Sequence, residues 1–275
     1  MSIYSDKFIG LQSNNNYNEE TALSLAIACD LAYQDKELVE STATGWGYSQ
    51  VKFLEVKKGS DIDTQYFVMA DDNNIIIIFR GTDNLKDWFA NFQAVRDPGP
   101  LTETKAHEGF QDALYPAVIN LTNVIDEFGS RDKKLWLSGH SLGGALCSLY
   151  AGMLIENGYD IYGIYTFASP RPANEKFASQ LNEKVIGPHY RVVNTGDIVP
   201  HVPPEPFFSH SGNRIILKQE TMETSTDSWF DERVKALKVF IANTANLLDV
   251  ADNHRLSADD ESYIPRLIKD TQGTQ

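Results

Sequence analysis

Ten residues, Leu135 to Gly144 (LWLSGHSLGG), constrain this chain more than any others, because an apolar run passes through a GxSxG pattern and continues with helical spacing. Leu135, Trp136 and Leu137 read as a buried strand, and Leu142, Ala145, Leu146 and Leu149 follow a helical period. Gly139 and Gly143 leave room for tightly apposed backbone, so the run predicts a sharp strand-to-helix turn that pushes the Ser141 hydroxyl out for attack. A serine at a helix start is otherwise an ordinary N-cap. The strand and helix on either side favour the nucleophile.

With 275 residues and 42% hydrophobic content, the chain can bury one large core, and the expectation is a single α/β domain over 1–275. A formal net charge of −14 argues against nucleic acid and against attraction to an anionic membrane, though not against apolar contact with lipid. The N-terminus, MSIYSDKFIG, shows no basic start, apolar core or small-residue cleavage site, so no secretory signal is visible. No apolar run approaches the roughly 20 residues that span a bilayer. Cys29 and Cys147 fall on apolar helical faces and read as buried small hydrophobes. No HExxH, CxxC or EF-hand spacing occurs, so neither a metal nor a cofactor is expected.

Residues 19–40 carry Leu23, Ala26, Ile27, Leu31 and Ala32 at spacings of three and four, which predicts one amphipathic helix. Strands are expected over Val51–Val56, Gln65–Ala70 and Ile75–Phe79, the last two joined by a DDNN turn, which makes the first part an antiparallel hairpin region. From Gly109 the pattern alternates: a helix to about Phe128, the strand before Ser141, the helix after it, a strand Ile161–Ala168, a helix Glu175–Lys184 and a strand His189–Asn194. That order predicts a mixed, mostly parallel central sheet with helices on both faces. Arg214–Lys218 reads as a further strand, 221–227 as a polar loop and Ser228–Val250 as a helix.

A serine hydroxyl needs a histidine base and a carboxylate that holds the imidazole, in the chain order Ser, acid, His for this fold. Asp197 follows a strand end, where open α/β sheets place their sites. Four histidines follow Ser141, namely His189, His201, His210 and His254, and spacing alone does not choose among them. His189 precedes the acid, His201 and His210 sit in a Pro-rich loop close to it, and His254 lies past a further strand and helix; the reading takes His254. For the oxyanion, the Leu142 backbone N–H supplies one donor, and Thr82, directly after the apolar strand that ends at Phe79, supplies another.

Several ordered motifs then point to a family. FRGT at 79–82, DWFANF at 87–92, HEGF at 107–110, GHSLGG at 139–144, SPRP at 169–172 and NTGDIVPHVPP at 194–204 resemble the blocks of the fungal-type class 3 lipases, a branch of the α/β-hydrolases. The resemblance covers roughly residues 60–218. It implies Ser141 as nucleophile, Asp197 as acid, His254 as base, Thr82 with Leu142 as oxyanion hole, and His107 and His140 against substrate. It also implies a lid at about 84–92, and there Leu85, Trp88 and Phe89 fall on one face of a short helical pattern. Where the family carries Asp before its base and a Tyr soon after, this chain has Asn253 and, further on, Tyr263.

The implied function is a serine carboxylester hydrolase, foremost a triacylglycerol lipase acting on water-insoluble esters at an oil–water interface. The alternatives are a feruloyl-type or small-ester esterase and a phospholipase A1, which fold analogy does not separate. A non-catalytic relative would be expected to lose the triad, and Ser141 and Asp197 are both present with histidines to pair with them.

Overall fold

The isoleucine run of β3 (Asn74–Phe79) sits at the heart of the molecule because both faces of its sheet are covered. Ile75, Ile77 and Phe79 pack into one core with Leu135 and Leu137, whereas Ile76 and Ile78 enter a second core with Trp136. A strand buried on two faces reads as a continuous apolar run rather than an alternation. Truncating any of these isoleucines to alanine would cost about 2–5 kcal/mol.

The computed structural model describes residues 4–58, 62–82, 94–217 and 251–273. A seven-stranded sheet has the order β1 (Gln50–Lys58), β2 (Ile62–Ala70), β3, β6 (Lys134–His140), β7 (Ile161–Phe167), β8 (His189–Asn194) and β9 (Asn213–Leu217). The first three strands are antiparallel neighbours, and every pairing from β3 to β9 is parallel. Asp71 builds the β2–β3 turn by accepting the Asn73 and Asn74 amides at 2.7 Å each, the local side-chain turn that such residues favour. A separate ribbon, β4 (Arg96–Pro98) with β5 (Lys105–His107), precedes helix α3 (Glu108–Glu127).

Helix α1 (Glu19–Leu31) stops earlier than the sequence pattern suggested. Asp35 caps a new helix, α2 (Lys36–Gly45), by accepting the Leu38 amide at 2.8 Å, so the expected single helix is two. Nor is α1 amphipathic in its setting: Thr21 to Cys29 are all buried, with α1 packed against the sheet on one side and α7 (Tyr263–Gly273) on another. The opposite face of the sheet carries α3, α4 (Leu142–Glu156) and α5 (Glu175–Lys184), and α6 (Ala251–His254) lies just ahead of α7. Cys29 and Cys147 are buried free thiols, and Cys29 lies 3.3 Å from the Ser138 hydroxyl. No helix among the described residues is long and apolar enough to cross a membrane.

The alternation of parallel strands and helices brings every strand's carboxyl end to one edge. Phe79 pairs in register with Gly139, and His140 with Phe167, so the segments following β3, β6 and β7 emerge side by side. The turn after β8 emerges at the same edge.

Candidate active site

Ser141 leaves β6 with φ 56° and ψ −130°, a conformation unusual for a residue with a side chain, and α4 begins at the next residue. The turn is so tight that a Cβ on Gly139 would collide with the Gly143 carbonyl, and one on Gly143 with the Phe79 carbonyl. Both glycines of GxSxG are therefore required by backbone packed on backbone. The Ser141 amide donates to the Phe167 carbonyl at 2.9 Å, which fixes the turn to β7. Its hydroxyl makes no capping bond to α4, so the plain N-cap reading of this serine does not hold.

Asp197 lies in the turn after β8 and is 1% exposed. His254, at the end of α6, places Nδ1 3.1 Å from both carboxylate oxygens. The Tyr263 hydroxyl donates to Oδ2 at 2.7 Å and the Val199 amide to Oδ1 at 3.0 Å. Every neighbour is a donor, the complement of an acceptor-only carboxylate. With Nδ1–H given to Asp197, the neutral His254 ring carries its lone pair on Nε2. That atom is buried and makes no hydrogen bond among the described residues.

The other three histidines are used elsewhere. His201 ends the short turn Val199–His201, and its carbonyl accepts from Arg171. His210 hydrogen-bonds the Pro200 carbonyl through Nε2 at 2.7 Å, and burial followed by Arg191 and Arg171 holds its pKa well below the usual range. Burial alone pushes His189 down to about 3.

His107 and His140, expected against substrate, each make hydrogen bonds within the protein. His107 caps α3, with Nδ1 accepting the Phe110 amide at 3.3 Å, and its ring lies beside those of Phe110 and Phe208. His140 has both ring nitrogens engaged: Nε2 is 2.7 Å from the His254 carbonyl and Nδ1 is 2.9 Å from the Tyr33 hydroxyl. Burial, then the neighbouring His254, keeps its pKa well below the usual histidine range.

Arg80, Gly81 and Thr82 follow β3, and the first two lie against the elbow. A Cβ on Gly81 would sit 2.7 Å from the His140 carbonyl and 3.1 Å from Ser141 Cβ. Leu142 is the first residue of α4, where an amide has no partner within the helix. The expected lid at 84–92, with Leu85, Trp88 and Phe89, and the segment 219–249 lie outside the described residues.

Residues that the sequence did not assign support the base. Asn194, the last residue of β8, sends its side-chain N–H groups to the Asn253 and Glu261 carbonyls at 3.0 and 3.1 Å. Tyr263 accepts the Asn194 amide at 3.0 Å while donating to Asp197. The chain folds back after His254 through Tyr263 and Ile264 amides bonded to the Arg255 and Leu256 carbonyls, so a tyrosine nine positions on still reaches the acid. Among the described residues, no group of three or more His, Cys, Asp or Glu side chains is placed to hold a metal ion.

A mostly parallel sheet whose central strand ends in a positive-φ serine and turns straight into a helix defines the class: this is an α/β-hydrolase fold. Residues 76–207, just under half of the chain, match the family model for Lipase (class 3). The chain is 36% identical over 174 residues to a lipase of Rhizomucor miehei, a match covering 59% of this chain and 47% of that protein. It is 31% identical over 142 residues to a secreted mono- and diacylglycerol lipase of Fusarium solani, covering 50% and 42%. The chain thus spans about half the length of the curated relatives it matches. The solved Rhizomucor miehei triacylglyceride lipase superposes with a TM-score of 0.56 at 27% identity, over 72% of this chain and 78% of that one.

Proposed function

We propose that this chain is a serine carboxylester hydrolase, and specifically a triacylglycerol lipase that acts on water-insoluble esters as a single catalytic domain. The observation that carries the reading is His254, whose Nδ1 is held by both oxygens of Asp197 and whose Nε2 is left without a hydrogen bond among the described residues. A base held in that tautomer is what a serine hydroxyl needs near neutral pH.

In this reading the Ser141 hydroxyl attacks the ester carbonyl while His254 Nε2 takes its proton. The Leu142 amide and Thr82 face the developing oxyanion, and each such donor is worth roughly 10²- to 10³-fold in rate. Collapse of the tetrahedral adduct breaks the C–O bond, and His254 returns the proton to the departing alcohol. Water activated by the same imidazole then hydrolyses the acyl-enzyme. The lipid preference draws on the family and on the apolar Leu85, Trp88 and Phe89 pattern at 84–92. An apolar cover that exchanges protein contacts for lipid ones raises activity at an interface.

The test is fluorophosphonate labelling followed by peptide mapping, beside a chain-length series of p-nitrophenyl esters, a triglyceride emulsion and a phospholipid. Labelling at Ser141 with the highest rate on the emulsion is expected. An unlabelled Ser141 in folded protein defeats the hydrolase reading. Preferential cleavage of aromatic or short esters, or of the phospholipid, replaces the lipase by an esterase or a phospholipase.

A further inference from the structure

Tyr33 stands in the gap between α1 and α2, outside the region 76–207 that matches the family, yet its hydroxyl meets two parts of the site. That hydroxyl is 2.9 Å from His140 Nδ1. It also sits where a Cβ on Gly81 would strike it. The ring faces Arg80, whose guanidinium carbon is 5.3 Å from the ring centre. Tyr33 thus touches the oxyanion segment on one side and the residue before the nucleophile on the other.

Proton accounting gives these contacts a direction. His140 Nε2 is 2.7 Å from the His254 carbonyl, an acceptor only, so this nitrogen carries the hydrogen. In the neutral ring, Nδ1 is then an acceptor and the Tyr33 hydroxyl donates to it. The same phenol oxygen packs directly against Gly81. One hydrogen-bonded series therefore runs from Tyr33, packed against Gly81, through His140 to the main chain of the base.

We propose that Tyr33 and His140 are positioning residues that hold the oxyanion segment and the His254 main chain in fixed relation to Ser141. The inference rests on the hydrolase reading for its catalytic meaning. Neither side chain hydrogen-bonds the reacting atoms; Tyr33 acts through where Thr82 is held, and His140, whose ring also lies 4.8 Å from that of His254, through where His254 is held. A misplacement on the order of 1 Å costs about 10²-fold in rate, so loss of this series should appear in turnover rather than in substrate binding.

The experiment is a double-mutant cycle on the full chain with a soluble ester, p-nitrophenyl butyrate, using Tyr33→Phe and His140→Gln. Tyr33→Phe keeps the ring over Arg80 and is expected to lower kcat about 10- to 100-fold with KM within about twofold. His140→Gln can keep a donor near the His254 carbonyl but breaks the link to Tyr33, so the double variant should lose no more than the worse single one. Multiplicative losses, or a folded Tyr33→Phe with unchanged kcat, overturn the proposal. Should His140→Gln fail to fold, His140→Leu, which offers Tyr33 no acceptor, takes its place in the cycle. Imidazole ¹⁵N spectra of wild type give a readout besides turnover: His140 should be neutral with its proton on Nε2, and the opposite tautomer overturns the proposal. Wild type that shows this spectrum but neither labels at Ser141 nor turns over instead defeats the hydrolase reading.

Discussion

Replacing Asp197 by asparagine keeps the shape of the side chain and reverses the polarity of half of it. The carboxylate accepts from the Val199 amide on Oδ1, from the Tyr263 hydroxyl on Oδ2 and from His254 Nδ1 on both. An asparagine offers one oxygen and one NH₂ group to these donors. With its oxygen toward Val199, the NH₂ faces Tyr263 and His254, and it bonds the imidazole only if His254 moves its proton from Nδ1 to Nε2. The lone pair that would deprotonate Ser141 is then gone. A wrong-tautomer base costs about 10⁴ in kcat, which at 1.36 kcal/mol per decade is about 5.4 kcal/mol of transition-state stabilisation. Losing the charge-assisted bonds should also lower stability by about 1.5–3 kcal/mol, or roughly 3–12 °C in Tm at this chain length. The assay is kcat on p-nitrophenyl butyrate, with circular dichroism to confirm folding. A folded Asp197→Asn protein within tenfold of wild-type kcat would refute the reasoning.

Two further outcomes follow from the packing and the buried histidines. Gly143→Ala forces a methyl group against the Phe79 carbonyl, which is backbone and cannot rotate away; overpacking of this kind costs about 1–3 kcal/mol, and an unchanged thermal unfolding midpoint would contradict the tight elbow. His189, pushed down to about 3 by burial, stays neutral when folded while the unfolded chain takes up a proton below about pH 6.5. Its contribution is therefore complete above that pH and falls by up to about 1.4 kcal/mol per pH unit between 6.5 and 3. His140 and His210 titrate in the same direction, so urea unfolding should be compared between wild type and His189→Gln. Equal pH slopes for the two proteins would exclude the His189 contribution.

The centre of the sheet was legible because its inner strands are apolar on both faces and its glycines stand where main chains touch, both of which are local signals. Ile75 to Phe79 and Leu135 to Leu137 announce buried strands, and Asp197 announces a strand end. The break between α1 and α2 was missed because Asp35 and Lys36 continue a helical polarity pattern while Asp35 acts as a cap. The β4–β5 ribbon was also missed: three-residue strands are too short to show a period, and all of β4 is exposed. Tyr33, Asn194 and Tyr263 act across 107, 59 and 66 positions, distances over which no sequence period carries information. The partners of His140 were hidden for the complementary reason, since adjacency to Ser141 in sequence does not say which way a side chain turns.

The two halves of the site are joined to the molecule by different kinds of bond. Ser141 is wedged where the carbonyls of Phe79 and Gly143 meet their neighbours atom to atom, so it cannot shift without deforming the sheet. His254 is held chiefly by hydrogen bonds, to Asp197, to His140 and through Asn253 to Asn194, beside a ring contact with His140 at 4.8 Å between centroids. Heat or denaturant should therefore detach the base while the serine is still seated. Inactivation would run ahead of melting, and an early-inactivated population would regain activity on cooling without passing through the unfolded chain.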